Sequence, residues 1–239
     1  MEKVISMYFE IIIFLISFVT VSFCLYVLIR EDVIFIRKNI SMEQVFNSVF
    51  ASILPGFFIA RILYIIFSFN VSYLNPYVFL AFPYYPGFSL FGGVIGVLAF
   101  EFLYTARRKV PSLRFSDFYS ISFLWGITIT KLLVVGQAFL FKRAFVPAEG
   151  VILLLYFMFS LLFSTIALSL LRQGKLREGS VTLLFLATFS FLTFFSQLLS
   201  KNVGIFLGLE SEGILAFILF LSSIVFFLHR EQLALRVKK

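Results

Sequence analysis

The sequence predicts an all-α integral membrane protein built as a single bundle of seven transmembrane helices. Hydrophobic residues make up 61% of its 239 residues and charged residues only 13%. A soluble domain is about half apolar and about a quarter charged. The apolar residues are also gathered into seven continuous runs, each near the ~20 residues that a helix needs to cross a bilayer. Composition and run length together therefore favour a membrane bundle over a soluble fold.

The predicted spans form one transmembrane domain over residues 1–239. In chain order they are about 8–29, 46–67, 88–106, 117–141, 151–171, 181–200 and 213–229. The first run is longer than the core of a signal peptide, and Phe23 occupies a position before Cys24 where a cleavage site has a small residue. We therefore expect the first run to be a retained span.

The connection 70–87 differs from the other connections, because it has three prolines, four tyrosines and no charge. Proline interrupts a helix, and tyrosine favours the headgroup level of a bilayer. We expect an outer interfacial segment here. It is either an ordinary aromatic belt or a segment that admits lipid to a site.

Lysine and arginine are distributed unevenly between the two ends of the predicted spans. Fourteen of the twenty follow spans one, three, five and seven, and only four lie at the opposite ends. Cytoplasmic connections carry the excess of positive charge. The N-terminus is therefore predicted outside and the C-terminus in the cytoplasm.

Several classes of function are excluded by counting. The net charge of +8 comes from basic residues in short connections rather than from one binding face, so we expect no nucleic-acid partner. Cys24 is the only cysteine and His229 the only histidine. An intrachain disulfide, a thiolate metal cluster and a two-histidine metal site are ruled out. Because His229 lies at the end of the last apolar run, a buried Ser-His-Asp triad is ruled out as well, and we expect neither a metal nor a cofactor.

Ionisable residues within the spans are the strongest functional signal, because a charge in hydrocarbon is costly and such residues usually mark sites. Arg61 and Lys131 lie well inside the second and fourth spans, and Glu10 opens the first. Gln137 and Gln197 lie near the ends of the fourth and sixth spans. With the predicted orientation, all five fall in the outer half of the membrane. Snorkelling and helix-to-helix hydrogen bonding are the alternative explanations.

Two further features are placed by the same topology. Gly92 and Gly93 open the third span at the outer side, where their backbone would be accessible to a lipid headgroup. Gly96 is explained by close helix packing. Glu101 and Asp117 lie at the inner side near a basic cluster, where we expect local pairing.

Three stretches resemble the bacterial prolipoprotein diacylglyceryl transferase family. The first is Ala60-Arg61-Ile62-Leu63-Tyr64, similar to an arginine-tyrosine motif of the family. The second, residues 87–96, is similar to its glycine-rich motif. The third is the basic turn 106–109 followed by Ser116-Asp117-Phe118. The resemblance runs from about residue 41 to 141 and more weakly through 177–229.

This resemblance implies a multi-pass protein of a bacterial-type plasma (inner) membrane that acts in lipoprotein biosynthesis. Its partners would be an anionic phospholipid of the phosphatidylglycerol type and lipobox-containing preproteins. Arg61, Lys131, Gly92 and Gly93 would bind the lipid phosphate. Lys131 with Tyr8 and Glu10 would be catalytic. Gln137, Gln197 and Thr193 would be polar residues of the cavity.

The chain departs from the family pattern at most signature positions. A histidine of the family is replaced by Phe91. Its arginine, two asparagines and glutamate in span four correspond to Lys131, Val134, Gln137 and Phe139. An arginine and a glutamate in span six correspond to Thr193 and Gln197. A general base contributes about 10²–10⁴ in rate, so its loss bears directly on activity.

Three hypotheses follow, and whether the chain is an enzyme stays open between the first two. The first is a divergent transferase that moves a diacylglyceryl group from phosphatidylglycerol to a lipobox cysteine. The second is a catalytically silent relative, a pseudoenzyme, that binds anionic phospholipid or preprotein segments in the same cavity. The third is an unrelated seven-span receptor or channel, which the lack of a lysine in the last span and of repeated polar faces disfavours.

Overall fold

The computed structural model describes residues 2–68, 75, 77, 79, 87–108, 110–140, 147–200 and 211–237. The long regular elements of these ranges are all helices. They are α1 Glu2–Arg30, α2 Val33–Arg37, α3 Met42–Ser68, α4 Leu90–Arg107, α5 Ser112–Leu140, α6 Pro147–Arg172, α7 Ser180–Ser200 and α8 Ser211–Val237.

Six of these helices are long and apolar enough to cross a membrane. They are α1, α3, α4, α5, α6 and α8, and the described apolar part of α7, Ser180–Ser196, is shorter. Large apolar side chains cover the outside of the bundle: Leu54, Leu154 and Val225 are 67%, 63% and 64% exposed. A protein with such a surface is expected in lipid rather than in water. The prediction of a helical integral membrane protein is confirmed at this level, and each predicted span overlaps a helix of its own.

Helix α5 occupies the centre of the bundle, where it packs against α1, α4, α6 and α7. Small residues bring α1 and α5 close together, because a Cβ atom at Gly126 would overlap the side chain of Val21. One turn further, the hydroxyl of Thr130 donates a hydrogen bond of 2.7 Å to Ser17. These two contacts define an antiparallel register between α1 and α5.

Glycines also bring α3 and α4 into backbone contact. A Cβ atom at Gly92 would lie 2.7 Å from the Cα atom of Ala60, and one at Gly96 would lie 3.1 Å from the Cα atom of Gly56. The Gly-x-x-x-Gly spacing of α4 therefore serves helix packing, as predicted for Gly96. Around Gly93 there is more room, since its nearest neighbour would be the Cβ atom of Ala60 at 3.8 Å.

Polar contacts join the helices at the end of the bundle that carries the basic residues. The carboxylate of Asp117 accepts hydrogen bonds from the backbone N–H groups of Gly179 and Thr182 at 2.6 and 2.9 Å. It thereby caps the first turn of α7 from the neighbouring α5. Arg114 forms a salt bridge of 2.8 Å with Asp32. Asp117 thus pairs locally, as expected, although with the backbone rather than with a basic side chain.

The short helix α2 was not predicted. Asp32 caps it by accepting hydrogen bonds from the N–H groups of Ile34 and Phe35, and the side chain of Phe35 is buried in the core. Five residues are too few to show a helical period, so the pattern of apolar residues did not predict α2.

Candidate functional site

Arg61 is buried, with 1% of its surface exposed, and its guanidinium does not extend to the bundle surface. Its Nε donates a hydrogen bond of 3.3 Å to the carbonyl of Phe79, and its Nη1 donates one of 2.7 Å to the carbonyl of Gly87. The guanidinium carbon also lies 5.7 Å from the ring centre of Tyr64 and 5.6 Å from that of Phe88. Arg61 is therefore enclosed by protein, and its charge is held against the connection between α3 and α4.

Gly87 makes this arrangement feasible. Its φ of +148° lies in the region that favours glycine, and a Cβ atom here would overlap the ring of Tyr64. Two residues later, the N–H of Ser89 donates a hydrogen bond of 3.0 Å to the carbonyl of Ala60. The start of α4 is thus attached to α3 next to Arg61.

The amides of the glycine pair are engaged at the start of α4. The N–H of Gly92 donates to the hydroxyl of Ser89 at 3.3 Å, and the N–H of Gly93 donates to the Ser89 carbonyl at 3.0 Å. The first contact is an ordinary N-cap and the second an ordinary helical hydrogen bond. Binding of a lipid phosphate by these two residues stays a prediction.

Lys131 is half-buried and is directed towards α6. Its Nζ lies 5.8 Å from the ring centre of Tyr156, within the range of a cation–π interaction. The hydroxyl of Tyr156 in turn lies 3.4 Å from that of Thr193 on α7. Tyr156, which is only 2% exposed, therefore links two of the predicted site residues.

Tyr156 was missed in the sequence. It is the only tyrosine in the predicted span 151–171, and it lies within the apolar run rather than at an interface. A tyrosine within an apolar span needs a hydrogen-bond partner for its hydroxyl, so its position in the sequence could have indicated a polar contact here.

The other predicted residues at this end of the bundle are only partly described. Gln137 is 9% exposed, on the last turns of α5. The antiparallel register of Thr130 with Ser17 places the backbone of Glu10 level with that of Gln137. The side chains of Tyr8, Glu10 and Gln197 lie outside the described residues, so their roles stay predictions.

Two positions where the family has polar residues carry no polar group here. Phe91 is 1% exposed and packs against Phe189, with ring centres 5.1 Å apart. Val134 is 47% exposed on the outer surface of α5. Among the described residues, no group of three His, Cys, Asp or Glu side chains is arranged to hold a metal ion.

Fold and site together define a helical integral membrane protein with cationic side chains inside its apolar helices. No family model matches the chain. A stretch of 96 residues, 40% of the chain, is 27% identical to the phosphatidylglycerol–prolipoprotein diacylglyceryl transferase of Fusobacterium nucleatum subsp. nucleatum. The match spans about a third (33%) of that relative's length. This similarity supports a distant relationship to the diacylglyceryl transferase family.

Proposed function

We propose that this protein is a divergent diacylglyceryl transferase that binds an anionic phospholipid of the phosphatidylglycerol type. The observation that carries the proposal is that two cationic side chains, Arg61 and Lys131, lie within apolar helices, each held by its own hydrogen-bond or aromatic contacts. Cations are needed both to hold a phosphate and to stabilise the negative charge that develops when it leaves. The partial similarity to a named transferase supports the same class of substrate.

The proposed topology has seven spans, with α7 as the sixth of them. The N-terminus lies outside and the basic end of the bundle lies in the cytoplasm of a bacterial-type inner membrane. This orientation is supported by the excess of lysine and arginine at that end. It puts Arg61, Lys131 and Gln137 in the outer half of the membrane, where an exported preprotein would present its lipobox.

In the proposed reaction, the sulfur of the lipobox cysteine bonds to the carbon of the diacylglyceryl group that carries the phosphate. The bond from this carbon to the phosphate oxygen breaks, and glycerol phosphate leaves with the electron pair. Arg61 and Lys131 hold the phosphate, although lysine lacks the two-pronged geometry of arginine. The thiol proton must pass to a base, because the thiolate is the nucleophile. Glu10, Tyr8 and the hydroxyl of Tyr156, whose ring lies beside Lys131, are the proposed groups for that transfer.

A catalytically silent relative is the second candidate, and Phe91 favours it. A buried, packed phenylalanine supplies no proton acceptor where the family has a histidine. In this case the region around Arg61 and Lys131 would bind anionic phospholipid or a preprotein segment without transfer. Lys131 and Arg61 would keep their binding roles.

A transfer assay distinguishes the two candidates. Purified protein is incubated with radiolabelled phosphatidylglycerol and a lipobox peptide, and a peptide with serine in place of the cysteine serves as control. Cysteine-dependent labelling that is lost in Lys131→Ala supports the transferase. Saturable binding of phosphatidylglycerol without labelling supports the silent relative. Absence of both binding and labelling overturns the proposal as a whole.

A further inference from the structure

Glu101 lies in α4 away from the proposed lipid site, and its carboxyl group is buried without a charged partner among the described residues. Its exposed fraction is 0%. Neither carboxyl oxygen accepts a hydrogen bond from the described part of the chain while the nearby Ser48 and Ser52 hydroxyls donate to their own helix, but both hydroxyls lie close enough to turn towards it. The expected pairing with the nearby basic cluster is therefore absent among the described residues.

Hydroxyl groups from two other helices surround this carboxyl group. Ser48 and Ser52 on α3 lie beside it, and Tyr119 on α5 lies next to Ser52. The two serine hydroxyls donate their hydrogens to carbonyls of their own helix, at 2.8 and 2.7 Å. The oxygen atoms of Ser52 and Tyr119 are 3.3 Å apart. Glu101 thus faces hydroxyl groups that can either donate hydrogen bonds to a carboxylate or offer lone pairs to a cation.

An ionised carboxylate cannot remain in such a position without a positive partner, because burial of an unpaired charge is strongly unfavourable. A bound proton or a bound cation removes this cost. Hard cations prefer oxygen ligands such as carboxylates, hydroxyls and carbonyls. The surroundings of Glu101 offer a set of this kind.

A cavity at the basic end of the bundle reaches Ser48, one of the residues beside Glu101. It has a volume of about 110 Å³, and Ser48 and Thr105 form part of its wall. Thr105 also donates a hydrogen bond of 2.5 Å to the backbone carbonyl of Glu101. The exposed residues Gln44 and Arg108 line the same cavity, so it reaches the surface. A water needs only ~10–15 Å³ of such volume, so the cavity can hold water as far as Ser48.

We propose that Glu101, Ser48, Ser52 and Tyr119 form a binding site for one small monovalent cation, a sodium ion or a proton, that enters through this cavity. The site connects α3, α4 and α5, so its occupancy controls how firmly these helices are held together. It is separate from the proposed lipid site and does not depend on the transferase function. Tyr119 is the titratable group on the α5 side of Glu101, and α3 contributes the hydroxyls of Ser48 and Ser52. Arg108 carries the positive charge at the cavity mouth. Repulsion by Arg108 opposes cation entry, so we expect weak binding that strengthens in Arg108→Gln.

The test is thermal unfolding of the purified full chain in nanodiscs, in sodium, potassium or choline chloride at constant ionic strength and across a pH series. For a sodium site, we expect the unfolding temperature to rise by roughly 5–10 °C when sodium reaches ~100 times its Kd. Glu101→Gln should lose this response, because a neutral amide of the same size needs no cation. Ser52→Ala and Tyr119→Phe should shift the response to higher sodium. Glu43→Gln, which changes an exposed carboxylate on α3, is the control.

A proton as the occupant gives a different result. The unfolding temperature then rises as the pH falls and is equal in the three salts. An infrared carbonyl band of a protonated carboxylic acid is present in the wild type and missing in Glu101→Gln. The proposal is overturned if the wild type and Glu101→Gln respond identically to every salt and pH. If Glu101→Gln does not fold, wild-type responses in Ser52→Ala and Tyr119→Phe overturn it instead.

Discussion

Replacement of Arg61 tests whether this arginine supports the fold as well as the proposed site. Its guanidinium donates to two backbone carbonyls that lie 18 and 26 residues away in the sequence. A hydrogen bond to a charged group contributes about 1.5–3 kcal/mol. Arg61→Met removes both bonds and should lower the free energy of unfolding by about 3–6 kcal/mol. Arg61→Lys keeps the charge but has one nitrogen, so we expect a loss of about 1.5–3 kcal/mol.

The assay is unfolding by denaturing detergent in mixed micelles, with and without phosphatidylglycerol. Arg37→Met serves as the matched control, because Arg37 is an exposed arginine at the end of α2. If Arg61 also holds a lipid phosphate, added phosphatidylglycerol should stabilise the wild type and Arg37→Met more than either Arg61 variant. The contribution of Arg61 to folding and its contribution to lipid binding are thereby measured in one experiment.

Two results would refute this reasoning. If Arg61→Met is as stable as the wild type, the two carbonyl contacts contribute nothing and the arginine is not part of the fold. If Arg37→Met loses as much stability as Arg61→Met, the effect reflects net charge rather than the buried contacts. Equal stabilisation of all variants by phosphatidylglycerol would remove Arg61 from the phosphate site.

Three further predictions concern packing, capping and the site. Gly92→Ala should cost about 1–3 kcal/mol by overpacking against α3, whereas Gly93→Ala should be neutral or stabilising, as measured by unfolding. Asp117→Ala should lower the free energy of unfolding by about 2–4 kcal/mol, because it leaves the first turn of α7 uncapped, and Asp117→Asn should lose less. Tyr156→Phe should change the affinity for lipid by no more than about 2-fold. In a working transferase it should lower the turnover rate by about 10-fold or more. Lys131→Arg should retain lipid binding, because it keeps the positive charge.

Each of these has an outcome that contradicts it. Equal stability of Gly92→Ala and Gly93→Ala would mean that α3 and α4 are not in backbone contact. A fully stable Asp117→Ala would show that α7 finds another cap. Unchanged turnover in Tyr156→Phe would assign its hydroxyl to packing with Thr193 and not to proton transfer.

The helices could be predicted from the sequence because long apolar runs leave few alternatives in a membrane. The role of Gly96 in helix packing could also be predicted, because small residues at that spacing permit close approach of two helices. The five-residue helix α2 was not, because it depends on the capping of Asp32 and on burial of Phe35, which are tertiary features. Long helices could therefore be predicted more reliably than the contacts between them.

The candidate site could be predicted only in part, for a similar physical reason. Position along each span followed from counting residues, so Arg61 and Lys131 could be placed well inside their helices. Which neighbour each side chain contacts depends on the rotation of its helix, and counting does not determine that rotation. Tyr156 and the surroundings of Glu101 belong to this second kind of information. Both became visible only once α3, α5 and α6 were packed together.

The most direct test of the proposed function is the affinity of the purified protein for phosphatidylglycerol, compared between the wild type, Lys131→Met and Lys175→Met. Lys175 is an exposed lysine beyond α6, so its replacement removes the same charge without touching the site. Loss of a charged contact of about 1.5–3 kcal/mol predicts a Kd roughly 10–150-fold weaker for Lys131→Met and unchanged for Lys175→Met. Equal affinities in all three proteins would contradict the claim that Lys131 holds the phosphate of a bound lipid.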